Sequence, residues 1–119
     1  MKTIIEILII LIAIEHLYFL YLEMFAWTTR GPKVFKNFPK ELFEPTKALA
    51  ANQGLYNGFL AAGLVWSLFI GDPAWEMRIA VFFLGCILVA AIYGGFTADK
   101  KIFAVQGLLP LIALILILI

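Results

Sequence analysis

Four ionisable side chains interrupt an otherwise apolar stretch near the start of the chain; Glu6 is close to its outer end, and three lie well inside it. Glu15, His16 and Glu23 are surrounded by isoleucine, leucine and aromatic residues. An ionisable residue inside lipid costs several kcal/mol unless it meets a partner or lines a cavity, so it marks a functional site by default. At helical spacing His16 and Glu23 share one face. These groups could exchange protons or bind the polar end of a ligand.

A second set of polar side chains follows in a run rich in small residues. The set comprises Asn52, Gln53, Tyr56 and Asn57. Small residues recur at every fourth position in the same run, at Ala50, Gly54, Gly58 and Ala62. Such a stripe predicts that another helix packs closely against it. Amides inside a membrane more often join helices than take part in catalysis, so a packing role and a binding role both stay open.

The composition indicates that lipid is the solvent of this protein. Of its 119 residues, 64% are apolar and 14% are charged, whereas soluble domains hold about 45 to 50% and about 25% respectively. A soluble fold of this length has too little interior to bury so much apolar surface. We therefore predict an all-α integral membrane protein made of one domain, residues 1–119.

Four segments are long and apolar enough to cross the bilayer, which takes about 20 residues of helix. The predicted spans are residues 3–27, 47–70, 75–96 and 102–118, with a cytoplasmic linker over 28–46. Proline, glycine and charged residues fill the connections between them. The sequence thus predicts a bundle of four transmembrane helices.

Basic residues near the ends of the spans indicate the orientation, because they collect on the cytoplasmic side. One side holds Arg30, Lys33, Lys36, Lys40, Lys47, Lys100 and Lys101, and the other holds Lys2 and Arg78. We expect a multi-pass protein of the cell membrane with both termini outside the cytoplasm. Aromatic residues alternating with charges from Phe35 to Phe43 predict a helix on the membrane surface, with a partly ordered loop as the alternative.

Depth along the helices brings polar residues of different spans to one level. At about 1.5 Å per residue, Glu23 lies about 6 Å inside the cytoplasmic end of its span and Asn52 about 8 Å. The sequence therefore predicts a cytoplasm-facing polar pocket. Its binding residues are Glu15, His16, Glu23, Asn52, Gln53, Tyr56, Asn57, Tyr93 and Gln106. Three cations stand at its rim, namely Lys47, Lys100 and Lys101.

Several classes of function are disfavoured by the sequence. A formal charge of +1 leaves no basic excess for a nucleic-acid partner. No metal site is expected, because His16 is the only histidine and Cys86 lies on another predicted helix. The only serine, Ser67, has no basic neighbour in sequence, so the catalytic residues of any reaction are unknown.

The run from Asn52 to Phe59, together with Glu15-His16 and Glu23-Met24-Phe25, resembles a family of small bacterial membrane proteins known as domain of unknown function 1304. This resemblance covers almost the whole chain. It implies the fold more than the activity.

Three segments are more distantly similar to the membrane-associated proteins in eicosanoid and glutathione metabolism, the MAPEG superfamily: residues 23–31, 34–39 and 93–110. The resemblance implies a MAPEG-like four-helix scaffold, a homotrimer and, if the chain is an enzyme, a transferase or isomerase. Glutathione binds between subunits in that superfamily. That superfamily has arginines in its second, third and fourth helices. At the corresponding positions this chain has Ala48 with its neighbours, an apolar stretch around Cys86, and Lys100. The cofactor therefore stays unknown, and glutathione is not favoured.

Three functions stay open from the sequence. The residues favour an oligomer, with a trimer preferred, that lies in the bilayer and binds a small amphipathic or lipophilic molecule in its polar pocket. Glu15 and His16 at mid-span would instead suit a small transport or proton-coupled element. The third possibility is a structural or regulatory membrane subunit whose polar residues specify helix packing. Catalysis is undecided.

Overall fold

The computed structural model describes every residue from Met1 to Ile119, and all of its regular structure is helical. The elements in chain order are α1 (Thr3–Phe25), α2 (Gly31–Val34), a 3₁₀ turn (Lys40–Leu42), α3 (Lys47–Phe69), α4 (Pro73–Thr97), α5 (Lys100–Ile102), a π-helical segment (Phe103–Gly107) and α6 (Leu108–Leu118). Each predicted span coincides with a helical segment, with bounds that differ by a few residues. The prediction of an all-α protein is confirmed.

Three helical segments are long and apolar enough to cross a membrane: Thr3–Phe25, Pro73–Thr97 and Lys100–Leu118. The helix α3 has 23 residues, which is also enough length for a span. Its amides and glycines make it less apolar than the other three segments. The structure therefore indicates a helical membrane protein with three candidate spans, and the bundle of four spans stays a prediction.

The chain divides into two compact units. The central unit is Ile14–Ala61, and the terminal unit is Met1–Ala13 together with Ala62–Ile119. The amides of α3 and the carboxylate of Glu23 thus belong to the central unit. The organisation as one domain stays a prediction.

In the central unit, α1 and α3 approach closely along the predicted stripe of small residues. A Cβ atom added to Gly54 would lie 2.8 Å from Cγ of Met24 and 2.9 Å from Cβ of Glu23. One added to Gly58 would lie 2.6 Å from Cδ1 of Leu20. A larger residue at Gly54 would push the two helices apart, whereas one at Gly58 would meet only the end of the flexible Leu20 side chain, so Gly54 sets the separation of the helices.

The buried stripe of α3 departs from the predicted line after Gly58. Ala61 is buried, whereas Ala62 is exposed. Because a helix has 3.6 residues per turn, a strict four-residue repeat drifts round the axis by about 40° at each step. The prediction that Ala62 continues the stripe is therefore wrong, and Ala61 is the buried small residue.

The linker between α1 and α3 folds around Trp27. The indole centroid lies 4.9 to 5.7 Å from the ring centroids of Phe43, Phe35 and Phe38. Its Nε1 donates a hydrogen bond of 2.9 Å to Oγ1 of Thr46. The predicted helix on the membrane surface is wrong, because these aromatic rings pack against one another and only short helical turns form in the linker.

A tight turn joins α3 to α4. Gly71 has a φ of 90°, which favours glycine because other residues pay a steric cost there. The carboxylate of Asp72 then accepts a hydrogen bond of 2.9 Å from the backbone N–H of Ala74, and Pro73 occupies the first turn of the helix. This combination of an acidic cap and a proline starts α4 at a defined residue.

In the terminal unit, α4 packs against α5, the π-helical segment and α6. A Cβ atom added to Gly94 would lie 2.9 Å from Cγ2 of Ile102. The carboxylate of Asp99 accepts a hydrogen bond of 3.0 Å from the backbone N–H of Lys101 and so caps the returning helix. Small residues thus allow close packing in this hairpin too.

The last helix widens into a π-helical segment over Phe103–Gly107, which the sequence analysis did not predict. Pro110 follows one turn later. Proline has no N–H for the carbonyl of Gln106, four residues earlier, and its ring crowds that carbonyl. In membrane-spanning helices a local π-helical turn is one of the adjustments that re-satisfy the backbone groups freed by a proline. Pro110 is therefore the residue in the sequence that indicates the π-helical segment.

Candidate functional site

The carboxylate of Glu23 is the centre of the candidate site. Glu23 is 7% exposed. Its Oε2 accepts a hydrogen bond of 2.9 Å from Nε2 of Gln53, and its Oε1 accepts one of 2.5 Å from Nδ2 of Asn57. Each carboxylate oxygen therefore has its own amide donor on α3, which offsets the cost of burying it.

The helical repeat and the glycine between them explain how two amides reach one carboxylate. Gln53 and Asn57 are one turn apart on α3, so their side chains lie side by side. Gly54 faces the base of Glu23 and keeps the helices close enough for short amide side chains to span the gap. The structure thus brings together three of the predicted binding residues.

The two amide oxygens of the site stay open. Gln53 and Asn57 each bond Glu23 through an amide nitrogen, and neither amide oxygen is buried without a partner. The site therefore offers three acceptor groups in one place, a carboxylate and two amide oxygens. A polar group that carries hydrogen-bond donors complements it best.

Two predicted residues of α3, Asn52 and Tyr56, are not brought to the carboxylate. Both are exposed, and the donors to Glu23 are Gln53 and Asn57 instead. The ring of Tyr56 meets that of Phe59 edge to face at 5.7 Å. Asn52 lies about 100° round the helix from Gln53, which explains why it points elsewhere. A binding role for these two side chains stays a prediction.

The mid-span pair Glu15 and His16 divides between the surface and the interior. His16 is 1% exposed, and its ring meets Phe19 edge to face at 5.4 Å. Glu15 is half-buried, and its Oε1 is buried with no hydrogen-bond partner. A buried acceptor without a donor is costly. Glu15 therefore requires a bound proton or a donor from outside the chain.

The other predicted site residues are not among the hydrogen-bond donors to the carboxylate of Glu23. In the terminal unit, Tyr93 is exposed on α4, Gln106 is half-buried in the π-helical segment, and Lys100 and Lys101 are exposed. Lys47 is exposed at the first residue of α3. Only the Glu23, Gln53 and Asn57 part of the predicted pocket is a hydrogen-bonded cluster.

Two concave surfaces lie on α4 rather than at Glu23. One has a volume of about 420 Å³ and the other about 730 Å³, and Tyr93 and Val89 line both. Their remaining lining residues are mostly apolar, and Cys86 borders the larger one. These depressions follow the face that α4 leaves uncovered within one chain.

One side-chain pair near the end of α1 was not anticipated from the sequence. Nε of Arg30 donates a hydrogen bond of 2.8 Å to the hydroxyl of Tyr18. The ring of Tyr18 also stacks on that of Tyr21, with centroids 6.3 Å apart. From the sequence alone Arg30 is only a signal of topology, because a spacing of twelve residues suggests no contact on a helix.

The apolar helices and the buried carboxylate held between two of them define the class, an α-helical protein with three candidate membrane spans. The chain belongs to the family described as Protein of unknown function (DUF1304), whose model matches residues 10–118. It is also 37% identical to the uncharacterized protein YpaA of Lactococcus lactis subsp. lactis (strain IL1403) over 111 residues, 92% of each chain. No solved structure matches it significantly. The predicted family is confirmed, and the MAPEG resemblance stays a prediction.

Proposed function

We propose that this protein crosses the cell membrane four times and binds a small amphipathic molecule, whose polar end meets the carboxylate of Glu23 and the amides of α3. The observation that carries the proposal is the pair of hydrogen bonds from Gln53 and Asn57 to one buried carboxylate. It supports both halves of the proposal, the span and the site.

The pairing makes α3 acceptable as a fourth span. Alone, a helix with Gln53 and Asn57 would expose two amides to hydrocarbon at a cost of several kcal/mol. Bonding to Glu23 satisfies donors of α3 and acceptors of α1 at the same time. The two helices can therefore enter lipid as a pair although α3 is the less apolar one. With basic residues inside, both termini lie outside the cytoplasm.

The open acceptors determine what the ligand must carry. Glu23 and the amide oxygens of Gln53 and Asn57 accept hydrogen bonds, so the polar end of the ligand is an amine or a hydroxyl group rather than an anion. The lipid-exposed Asn52 and Tyr56 flank the same turns of α3 and contact the rest of its polar end. The apolar part lies against the hydrophobic helix surface, as is usual for sites that bury most of a ligand.

Photoaffinity labelling tests this proposal. A long-chain alcohol and the matched methyl ether, each with a diazirine in its chain, differ in one hydrogen-bond donor and one methyl group. The alcohol should label wild-type protein in vesicles several-fold more than the ether, and Glu23→Gln and Asn52→Ala should remove the difference. Glu41→Gln, at an exposed position in the linker, is the control. Equal labelling by the two probes would contradict the proposed site.

The binding site is proposed to be repeated in a homo-oligomer, with a trimer favoured, and Lys47 is proposed to lie near its cytoplasmic rim. Its support is the uncovered apolar face of α4, which a second copy or lipid must cover. If Glu23 served only to pack helices, its variants would not assemble into the oligomer. The two probes would then label even the wild-type protein equally.

A proton-coupled role for Glu15 is the second candidate. Its support is the buried Oε1 that has no hydrogen-bond partner. A carboxyl group that carries a proton in lipid reacts with hydrophobic carbodiimides, whereas an ionised one does not. Dicyclohexylcarbodiimide should therefore modify Glu15 in membranes, with Glu15→Gln as the control. No modification of Glu15 would contradict this role.

A further inference from the structure

Arg30 is folded back against the lipid-exposed side of α1. It follows the end of that helix, yet its Nε donates a hydrogen bond of 2.8 Å to the hydroxyl of Tyr18. Tyr18 is 38% exposed and Tyr21 is 47% exposed, and their rings are 6.3 Å apart and nearly parallel, at 23°. The three side chains form one surface, the Arg30 patch, within the central unit.

Most N–H donors of the Arg30 guanidinium form no hydrogen bond within the patch. An arginine has five N–H donors in a rigid fork, and only Nε is engaged by Tyr18. The two terminal nitrogens form no ion pair with a carboxylate of the chain. Arg30 is exposed, so a group outside the chain can reach these two nitrogens. Two parallel N–H bonds match the two oxygens of a phosphate.

The charge around the patch selects a lipid as the partner. From Arg30 to Lys47 the chain has five cations, Arg30, Lys33, Lys36, Lys40 and Lys47, against the two carboxylates Glu41 and Glu44. Polybasic segments beside a span attract anionic lipids of the cytoplasmic leaflet. The exposed rings of Tyr18 and Tyr21 lie deeper in the span, at the level of the acyl chains.

We propose that Arg30, oriented by Tyr18, binds the phosphate of an anionic phospholipid at the end of α1. The terminal nitrogens of Arg30 hold the phosphate oxygens, and the rings of Tyr18 and Tyr21 lie along an acyl chain of the same lipid. Tyr18 is a positioning residue, because its hydroxyl accepts the hydrogen bond from Nε and so directs the two terminal nitrogens of Arg30 outward. The patch contains none of the residues assigned to the amphipathic ligand, so the two proposals can fail separately.

The test is native mass spectrometry of the protein released from nanodiscs that contain equal amounts of phosphatidylglycerol and phosphatidylcholine. The wild-type protein should retain phosphatidylglycerol selectively. Arg30→Gln should lower that retention about fivefold, the factor equivalent to about 1 kcal/mol for one basic residue at an anionic surface. Arg78→Gln is the matched control, because that arginine stacks on Trp75 at 5.0 Å instead of holding a tyrosine hydroxyl. It should leave retention unchanged.

Two further variants distinguish a specific phosphate site from general electrostatic attraction to anionic lipids. Tyr18→Phe keeps every charge but removes the hydroxyl that holds Nε, so it should also lower the retention of phosphatidylglycerol, and Arg30→Lys should not restore it. Full retention by Tyr18→Phe, or an equal loss in Arg78→Gln, would overturn the proposal. Displacement of the lipid by soluble glycerol 3-phosphate would overturn it as well, because the phosphate would then be recognised without the lipid.

Discussion

Nδ2 of Asn57 lies 2.5 Å from Oε1 of Glu23, a residue 34 positions earlier in the chain. The contact joins the second half of α1 to the first half of α3 within one compact unit. It leaves no oxygen of this buried carboxylate without a donor, because Gln53 bonds the other. The hydrogen bonds therefore stabilise the helix pair and fix the geometry of the proposed site together.

Removal of the Glu23 carboxylate should destabilise the helix pair. In Glu23→Ala the amides of Gln53 and Asn57 lose their acceptor, at about 1 kcal/mol for each hydrogen bond. The free energy of unfolding, measured by titrating mixed micelles with sodium dodecyl sulfate, should fall by about 2 kcal/mol. Glu41→Ala, in the exposed linker, should change it little. Equal stability of the two variants would mean that the hydrogen bonds contribute nothing.

A methyl group at the helix crossing should also be destabilising. In Gly54→Ala the new Cβ would lie 2.8 Å from Met24, so the helices must separate, at a cost of about 1 to 3 kcal/mol. Gly85→Ala is the matched control, since no atom lies within 4 Å of the added Cβ. That variant should gain about 0.5 to 1 kcal/mol from helix propensity. The same titration checks both, and a stabilised Gly54→Ala would disprove the close crossing.

The aromatic cluster should protect the linker from proteolysis. Trp27→Phe keeps an apolar ring but removes the Nε1–H that bonds Thr46, so the linker should open more often. Trypsin should then cleave at Lys33, Lys36 or Lys40 several-fold faster than in the wild-type protein. Trp66→Phe, at an exposed position of α3, is the control. Unchanged cleavage in Trp27→Phe would show that the indole hydrogen bond does not hold the linker.

Cysteine labelling should distinguish four spans from three. In a Cys86→Ala background, Lys36→Cys lies in the linker and Asp72→Cys lies in the turn between α3 and α4. If α3 crosses the bilayer, a membrane-impermeant maleimide should reach Asp72→Cys from outside intact cells, and Lys36→Cys only after permeabilisation. Labelling of both positions from the same side would leave α3 at the surface and contradict the four-span proposal.

Helical spacing predicted much of the fold and one part of the site. Apolar length and breaking residues predicted all four long helical segments, and the predicted polar pocket included the three residues that meet, Glu23, Gln53 and Asn57. Contacts that depend on how a loop folds were not predictable in this way. The aromatic cluster around Trp27 and the bond from Arg30 to Tyr18 join residues whose spacing matches no helical or strand period. Hydropathy does not indicate the π-helical segment, whereas the position of Pro110 does.

Native mass spectrometry of the gently solubilised protein tests the central claim, that a donor-bearing amphipathic molecule binds beside Glu23. We predict that the wild-type protein retains one defined small molecule with an amine or hydroxyl group, and that Asn52→Ala and Glu23→Gln lose it while they keep the same subunit number. Wild-type protein that carries no such molecule, or variants that retain it in full, would contradict the claim and leave the cluster as a packing device.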